Sequence, residues 1–206
     1  MKKLNQKAII LCISVLLSGC AMYYRPINPS KLNYKNINTQ NGIELAYKYD
    51  VLQESGNKKY SKKEFKSDIN LVAIKITNNT DSTITIGDNV AFFSDSTLLN
   101  PIEPITVNKV MQQSSTGYLL YLLFSPVNIR YTSNNFSVKL SIGFLLGAGL
   151  TIGNMVIAST ANKNFLKELK KYNLINKEIK AGETTYGIIG VNIGGYSPLT
   201  IKRIKK

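Results

Sequence analysis

The sequence predicts a mainly β protein, a β-sandwich that carries a helical insertion. At both ends of residues 41–206, short segments rich in β-branched and aromatic residues alternate with turn sequences. This alternation is typical of packed antiparallel sheets. At about residues 118–172 the chain is instead apolar, rich in glycine and then amphipathic. We therefore predict one β domain at 41–206, interrupted by a helical insertion at 118–172.

The strands are predicted from period and composition. After the turn sequence Asn41-Gly42, every second residue is apolar, which indicates a half-buried strand: Ile43, Leu45, Tyr47, Tyr49 and Val51. Residues 69–77 (INLVAIKIT) are nearly all apolar and predict a central strand. Residues 184–193 and 199–204 predict two more. The lysine-rich residues 53–68 predict an exposed connection, and Pro101 and Pro104 predict an edge or a loop.

The order of these segments resembles a known fold. A strand, an Asn78-Asn79 turn and a returning strand are followed, far along the chain, by an Ala181-Gly182-Glu183 turn and another strand. This order is similar to that of immunoglobulin-like domains in uncharacterised exported bacterial proteins, and the resemblance implies an immunoglobulin-like β-sandwich. The resemblance is one of pattern, since the chain has no tryptophan and residues 41–206 contain no cysteine.

Residues 1–19 have the three parts of a secretory signal peptide. Lys2, Lys3 and Lys7 give a positive start, residues 8–17 form an apolar run, and Ser18-Gly19 offers a small-residue cleavage site. As a helix, ten residues rise about 15 Å, which is half of a hydrocarbon core of about 30 Å. We therefore expect a cleaved signal and not a membrane span.

The end of this segment, Leu17-Ser18-Gly19-Cys20, resembles the lipobox of bacterial lipoproteins. The resemblance implies that the chain is cleaved before Cys20 and that this cysteine carries fatty acyl groups on its sulfur and usually on its amine. Two or more acyl chains hold a protein stably on a bilayer. Ala21 and Met22 follow instead of aspartate, which in similar lipoproteins favours the outer membrane over the inner. Residues 20–40 are predicted to be a flexible tether.

Composition excludes several kinds of chemistry. The chain has no histidine, and its other cysteine, Cys12, lies in the predicted signal. Ser-His-Asp and Cys-His catalysis and zinc sites built from imidazole or thiolate are therefore excluded, as is a disulfide within the mature domain. The acidic residues occur singly and form no calcium-loop motif. We expect no catalytic residue, no metal and no cofactor. An alternative remains, an enzyme that uses two carboxylates from distant strands.

The chain is basic, with 26 Lys and Arg against 12 Asp and Glu and a formal net charge of +14. Loss of the three signal-peptide lysines would lower this charge to +11. The lysines are scattered, which is typical of a solvated surface, and a weak attraction to an anionic membrane is the alternative. Because export is predicted, we do not expect nucleic acid as a partner.

The apolar insertion contains residues 118–124 (YLLYLLF) and the 19 residues 140–158, about 28 Å as a helix. Glycines spaced four apart favour close helix packing. One helical face is predicted to serve packing or a partner protein: Gly143, Gly147, Thr151, Asn154 and Ala158. Three alternatives stay open for this run, namely burial in the protein's own core, docking on a bilayer or partner, and a membrane span. A second amphipathic helix is predicted at 161–172, capped by Ser159 or Thr160.

These inferences predict a lipid-anchored, non-catalytic protein of the cell envelope. It would act as a structural or assembly accessory through contacts with a protein partner, while acyl groups hold it on the membrane. The alternative is a surface or periplasmic binding or adhesive module for an anionic glycan or peptide.

Overall fold

A computed structural model describes residues 19–124, 129–133, 136–140 and 142–204. The predicted signal, including Leu17 and Ser18 of the lipobox, therefore lies outside the described residues, apart from Gly19. The chain divides into two compact units. The first unit comprises Met1–Tyr23 and Gln113–Ala161, and the second unit comprises Tyr24–Gln112 and Asn162–Lys206.

The described residues form eleven strands, four α-helices and two 3₁₀ helices. The strands are β1 (Asn36–Gln40), β2 (Ile43–Lys48), β3 (Ile69–Asn78), β4 (Ile84–Thr85), β5 (Val90–Ser94), β6 (Thr97–Leu99), β7 (Ile129–Ser133), β8 (Phe136–Leu140), β9 (Glu178–Ile179), β10 (Thr184–Asn192) and β11 (Leu199–Arg203). The α-helices are α1 (Val51–Glu54), α2 (Lys58–Glu64), α3 (Pro104–Met111) and α4 (Ile142–Lys171), and the 3₁₀ helices are Pro29–Lys31 and Thr116–Phe124.

In the second unit the strands form antiparallel sheets. One has the order β1-β2-β3-β10, another has the order β11-β5-β6, and β4 pairs with β9. The longest pairing joins β3 to β10 over nine residue pairs, from Thr184 opposite Thr77 to Asn192 opposite Ile69. The predicted mainly β class is thus confirmed at the level of antiparallel sheets connected by helices.

A single buried apolar cluster contains residues from all three of these sheets. Its members are Ile43, Leu45, Tyr47, Tyr49, Val72, Ile74, Ile76, Ile84, Ile86, Val90, Phe92, Leu99, Leu174, Ile179, Ile189, Val191, Leu199 and Ile201. The predicted alternation after Gly42 is therefore confirmed through Tyr49, whose hydroxyl donates to the Ser197 carbonyl at 2.7 Å. Alternate residues of a strand point to the same side, and this periodicity brings the apolar residues of β2 into the core.

The predicted exposed connection at 53–68 is wrong, because α1 and α2 occupy most of it. The preceding strand β2 ends at Lys48, and Asp50, whose φ of 57° lies in the left-handed region, turns the backbone so that Val51 begins a helix instead of ending a strand. Within α2, Tyr60 is 1% exposed. Its ring lies 4.7 Å, centroid to centroid, from that of Phe165. This long-range aromatic contact buries a segment that is otherwise polar in sequence.

The sequence predicted that Pro104 limits its segment to an edge or a loop, but this proline begins α3. A proline is accommodated at the first position of a helix, since its missing N–H would have no partner within the helix. The buried side chains of α3 include Val107 and Met111. A Cβ on Gly190 of β10 would lie 2.4 Å from Cγ2 of Val107, so the helix packs where the strand has no side chain.

Residues 24–40 also differ from the predicted tether. They include a 3₁₀ helix and the outermost strand β1, and both Tyr24 and Ile27 are buried. Glu168 of α4, itself buried, holds this segment: it accepts hydrogen bonds from the Tyr24 hydroxyl and from the N–H groups of Ile27, at 3.0 Å, and Asn28, at 3.3 Å. Burial and the neighbouring carboxylate raise the pKa of Tyr24 far above its usual value, so the hydroxyl stays protonated and donates.

In the first unit, the predicted insertion contains the 3₁₀ helix Thr116–Phe124, the hairpin of β7 and β8, and the beginning of α4. The helix runs without a break through Ser159 and Thr160, so the predicted division into two helices is wrong. Flanking alanines favour helix continuation and offset the weaker propensity of these two residues. Of the helices that the structure describes, none combines the length and apolar character needed to cross a membrane.

We predict that Glu168→Ala lowers the free energy of unfolding by about 2–4 kcal/mol, because it leaves buried N–H and hydroxyl donors without an acceptor. Urea unfolding of the purified protein measures this loss. The matched control is Glu178→Ala, which removes an exposed carboxylate and should change stability by less than about 0.5 kcal/mol. Equal losses in the two variants would contradict the assigned role of Glu168.

Candidate functional site

The chain directly after Cys20 is held in place by side chains of the first unit. The N–H of Ala21 donates to Oδ1 of Asn154 at 2.6 Å. Gln113 pairs with both backbone groups of Met22: Oε1 accepts from its N–H at 3.1 Å, and Nε2 donates to its carbonyl at 2.7 Å. A side-chain amide thus replaces the partner that a neighbouring strand would supply. These bonds fix the backbone next to the predicted acylation site.

The helical face singled out by glycine spacing is buried in the first unit. Its members Gly143, Gly147, Thr151, Asn154 and Ala158 are all buried. The Thr151 hydroxyl donates to the carbonyl of Tyr118 at 3.1 Å, and Nδ2 of Asn154 donates to the carbonyl of Leu150 at 2.8 Å. The predicted face therefore packs against the chain itself, which agrees with the packing alternative. It does not present an open surface to a partner protein.

The opposite side of the same helix is exposed and apolar. Phe144, Ile152 and Val156 are 60–64% exposed, and open space surrounds Gly149 and Gly153. The 3₁₀ helix of this unit adds further exposed side chains, namely Leu119, Leu120, Leu122 and Leu123. The sequence pattern alone does not assign these residues to a surface. An apolar run shows no periodic contrast between an inner and an outer side, so the orientation of the helix was not apparent.

The helical segments of the first unit and the residues around Cys20 carry no charged side chain. Residues 19–23, 113–124 and 142–161 contain no Asp, Glu, Lys or Arg. Cys20 interacts electrostatically with Tyr118 and Tyr121, whose rings stack with their centroids 6.2 Å apart. Burial is the main cause that raises the pKa of both tyrosines, and Cys20 adds to the effect. Ala21, the residue after Cys20, bonds to Asn154, and Thr151, one turn earlier on the same helix, bonds to the Tyr118 carbonyl. The predicted acylation site thus lies near the beginning of the leucine-bearing 3₁₀ helix.

The second unit contains a cleft of about 640 Å³ that no pattern in the sequence predicts. Three acidic residues line it, Asp50, Glu64 and Asp68, together with Phe65 and Tyr196. The acids occur singly along the chain, and only the fold brings them to one cavity. The Tyr196 hydroxyl donates to the carboxylate of Asp50, and the ring of Tyr196 stacks on that of Tyr49 with centroids 5.0 Å apart.

Glu64 is the buried acid of this cleft. Burial raises its pKa to about 7. The charge of Asp50 adds to this rise, while the N–H of Leu71, which donates to Oε1 at 2.7 Å, opposes it. Of the residues that the structure describes, no three His, Cys, Asp or Glu side chains form a group that could hold a metal ion. The arrangement is suited to binding a polar ligand between carboxylates and exposed rings.

The chain matches no protein-family model, no curated protein and no solved structure. The function is therefore inferred from the chemistry of the residues described above.

We predict that stability falls by up to about 3 kcal/mol between pH 4.5 and pH 8 because of Glu64. Its pKa is higher in the folded state than the usual 4.5, so the unfolded chain loses this proton first as pH rises. Glu64→Gln keeps an acceptor for Leu71 without the charge, and it should remove this decrease and be the more stable protein at pH 8.

Thermal or urea unfolding at several pH values measures the effect. Asp68→Asn is the matched control, because Asp68 is an exposed acid of the same cleft and its replacement should leave the pH dependence unchanged. An identical pH profile for Glu64→Gln and the unaltered protein would contradict the prediction.

Proposed function

We propose that this chain is a lipid-anchored, non-catalytic protein of the cell envelope, attached to a membrane by fatty acyl groups on Cys20. One observation carries the proposal: Asn154 and Gln113 hold the backbone after Cys20 in a unit whose described helices bear no charge and expose large apolar side chains. Acyl groups attached there would enter a bilayer without bringing charged side chains into it. The lipobox-like residues Leu17, Ser18 and Gly19 favour the same location at a membrane.

The second unit is the part that would work outside the bilayer. We assign it an immunoglobulin-like β-sandwich fold, supported by the antiparallel sheets that contribute to one apolar cluster. Its role in this proposal is structural or in assembly, through contacts with a protein partner. The buried glycine face is not offered for that contact. Exposed apolar side chains of the second unit, such as Ile37 on the outermost strand β1 and Phe65, are better suited.

The destination proposed is the outer membrane, because Ala21 and Met22 follow the cysteine in place of an aspartate. The structure gives these two residues a further role, since both are bonded to side chains of the first unit. Cross-linking in intact cells, followed by identification of the bound neighbours, would name the partner and the membrane together.

We predict that Cys20→Ala abolishes lipid attachment and processing, because no sulfur remains for the acyl transfer that precedes cleavage. Mass spectrometry of the intact purified protein should show residues 1–19 retained and no lipid adduct. Cys12→Ala is the matched control: it removes the other cysteine, inside the predicted signal, and should leave a processed and acylated chain. An unaltered protein that retains residues 1–19 and carries no lipid would contradict the proposal.

A second candidate function is a binding or adhesive module for an anionic glycan or peptide. The observation that favours it is the open cleft of the second unit, where Lys58 and Lys62 line the cavity together with the exposed rings of Phe65 and Tyr196. The lysines would bond the anionic groups of such a ligand, and the carboxylates that line the same cleft would accept hydrogen bonds from its hydroxyl or amide groups. Exposed aromatic rings flanked by polar groups are common in recognition sites.

This candidate predicts retention on an anionic polysaccharide column, weakening steeply as salt rises. Replacing Lys58 and Lys62 together with glutamine should shorten retention more than replacing Lys170 and Lys171, a pair of equal charge outside the cleft. Flow-through at low salt, or an equal effect of the two pairs, would count against the cleft.

A further inference from the structure

Within the first unit, α4 has the polarity of its two sides reversed relative to a helix on a water-soluble domain. Its buried side carries small and polar residues: Gly143, Gly147, Thr151, Asn154 and Ala158. Its exposed side carries Phe144, Ile152 and Val156. A helix on the surface of a soluble domain places its large apolar residues towards the core and its polar residues towards water. The reverse arrangement is expected where the surroundings are less polar than the interior.

The polar groups on the buried side are bonded inside the protein. The hydroxyl of Thr151 donates to the Tyr118 carbonyl, and Asn154 bonds both to the Leu150 carbonyl and to the N–H of Ala21. None of these bonds needs water. A segment that satisfies its polar groups internally can lie against hydrocarbon without the cost of unpaired donors and acceptors.

Exposed apolar side chains of the first unit occur on the 3₁₀ helix as well as on α4. We call seven of them together the apolar surface of this unit: Leu119, Leu120, Leu122, Leu123, Phe144, Ile152 and Val156, of which Leu123 is 75% exposed. Four of them belong to the 3₁₀ helix beside Cys20. Exposed Tyr23 and the stacked pair of Tyr118 and Tyr121 lie in the same unit. Tyrosine is enriched where protein meets the boundary between headgroups and acyl chains.

We propose that this apolar surface inserts into the boundary between headgroups and acyl chains of the bilayer that holds the acylated Cys20. The inference rests on the proposed acylation, which brings the bilayer to this unit. The surface then lies in the membrane plane, as amphipathic helices do, and does not cross the membrane. The protein is thus held at two points, by its acyl groups and by its own side chains.

The lack of charge in the segments that carry this surface favours the bilayer over a protein as its occupant. A protein interface formed in water has an apolar centre within a polar rim. The segments that carry this surface and Cys20, residues 19–23, 113–124 and 142–161, include no ionisable acid or base except Cys20 and tyrosines. The described hairpin of the same unit adds only the basic residues Arg130 and Lys139, whose charge anionic headgroups attract. The hydrocarbon boundary requires this property, because charged side chains are costly there. A second copy or another protein is tested below as an alternative occupant.

The absence of tryptophan from the chain allows a direct experiment. Ile152→Trp and Leu120→Trp each place a single fluorescent reporter on the surface, and Phe65→Trp places the matched control on the second unit, where Phe65 is 91% exposed. Each acylated protein is purified from membranes and reconstituted into phosphatidylcholine vesicles, with or without bromine on the acyl chains. The mass of each sample is measured in parallel to record its lipid adduct.

For Ile152→Trp and Leu120→Trp we expect emission shifted to shorter wavelength, quenching by the brominated lipid, and little quenching by acrylamide in the water. Phe65→Trp should show the opposite pattern. Two reporters on different elements guard against a local disturbance of either one.

Access of acrylamide to the two reporters equal to that of Phe65→Trp would overturn the inference. Reporters shielded from both acrylamide and brominated lipid would also overturn it, and would assign the surface to a second copy of the chain. An acylated mass without lipid quenching removes this inference and leaves the proposed function standing. Lipid quenching without an adduct removes the proposed acylation instead.

Discussion

The structure depends on the need to pair buried backbone groups in a segment that belongs to neither a sheet nor a helix. A buried N–H without a partner costs about 1–3 kcal/mol, so nearly all such groups are bonded. Between Cys20 and the 3₁₀ helix at Pro29, side chains supply the hydrogen-bond partners of the backbone. Asn154 and Gln113 bond Ala21 and Met22 in the first unit, and Glu168 bonds Ile27 and Asn28 in the second. The side chains of Asn154, Gln113 and Glu168 therefore order a segment that would otherwise be a flexible linker.

Much of the β structure could be predicted, because alternation and apolar runs report directly on strands. The strands β2, β3 and β10 lie where the sequence predicted them. The helices α1 and α2 were missed, since lysine-rich residues resemble a solvated loop and Tyr60 is buried only by the distant Phe165. The role of Glu168 was missed for a related reason. Nothing local in a basic, amphipathic helix distinguishes a buried carboxylate from an exposed one.

The candidate sites divide in the same way. Spacing alone placed Gly143, Gly147, Thr151, Asn154 and Ala158 on one side of a helix, and the structure buries that side. Hydrophobicity alone would place the side of Phe144 and Ile152 in the core. The sequence therefore did not determine which side of the helix faces inwards. The cleft of Asp50, Glu64 and Asp68 had no local pattern at all. Asp50 precedes α1, Glu64 ends α2 and Asp68 follows it, so these acids converge only through the packing of the two helices.

Tyr24 is buried and lies close to Cys20 in the sequence, so it limits the length of free chain after that cysteine. Four residues of chain lead from Cys20 to this ring, and fully extended they cover at most about 14 Å. Acyl groups on Cys20, as proposed above, would therefore place a bilayer only a short length of chain away from this ring. A protein anchored in that way would meet its partners mainly by lateral diffusion along the membrane.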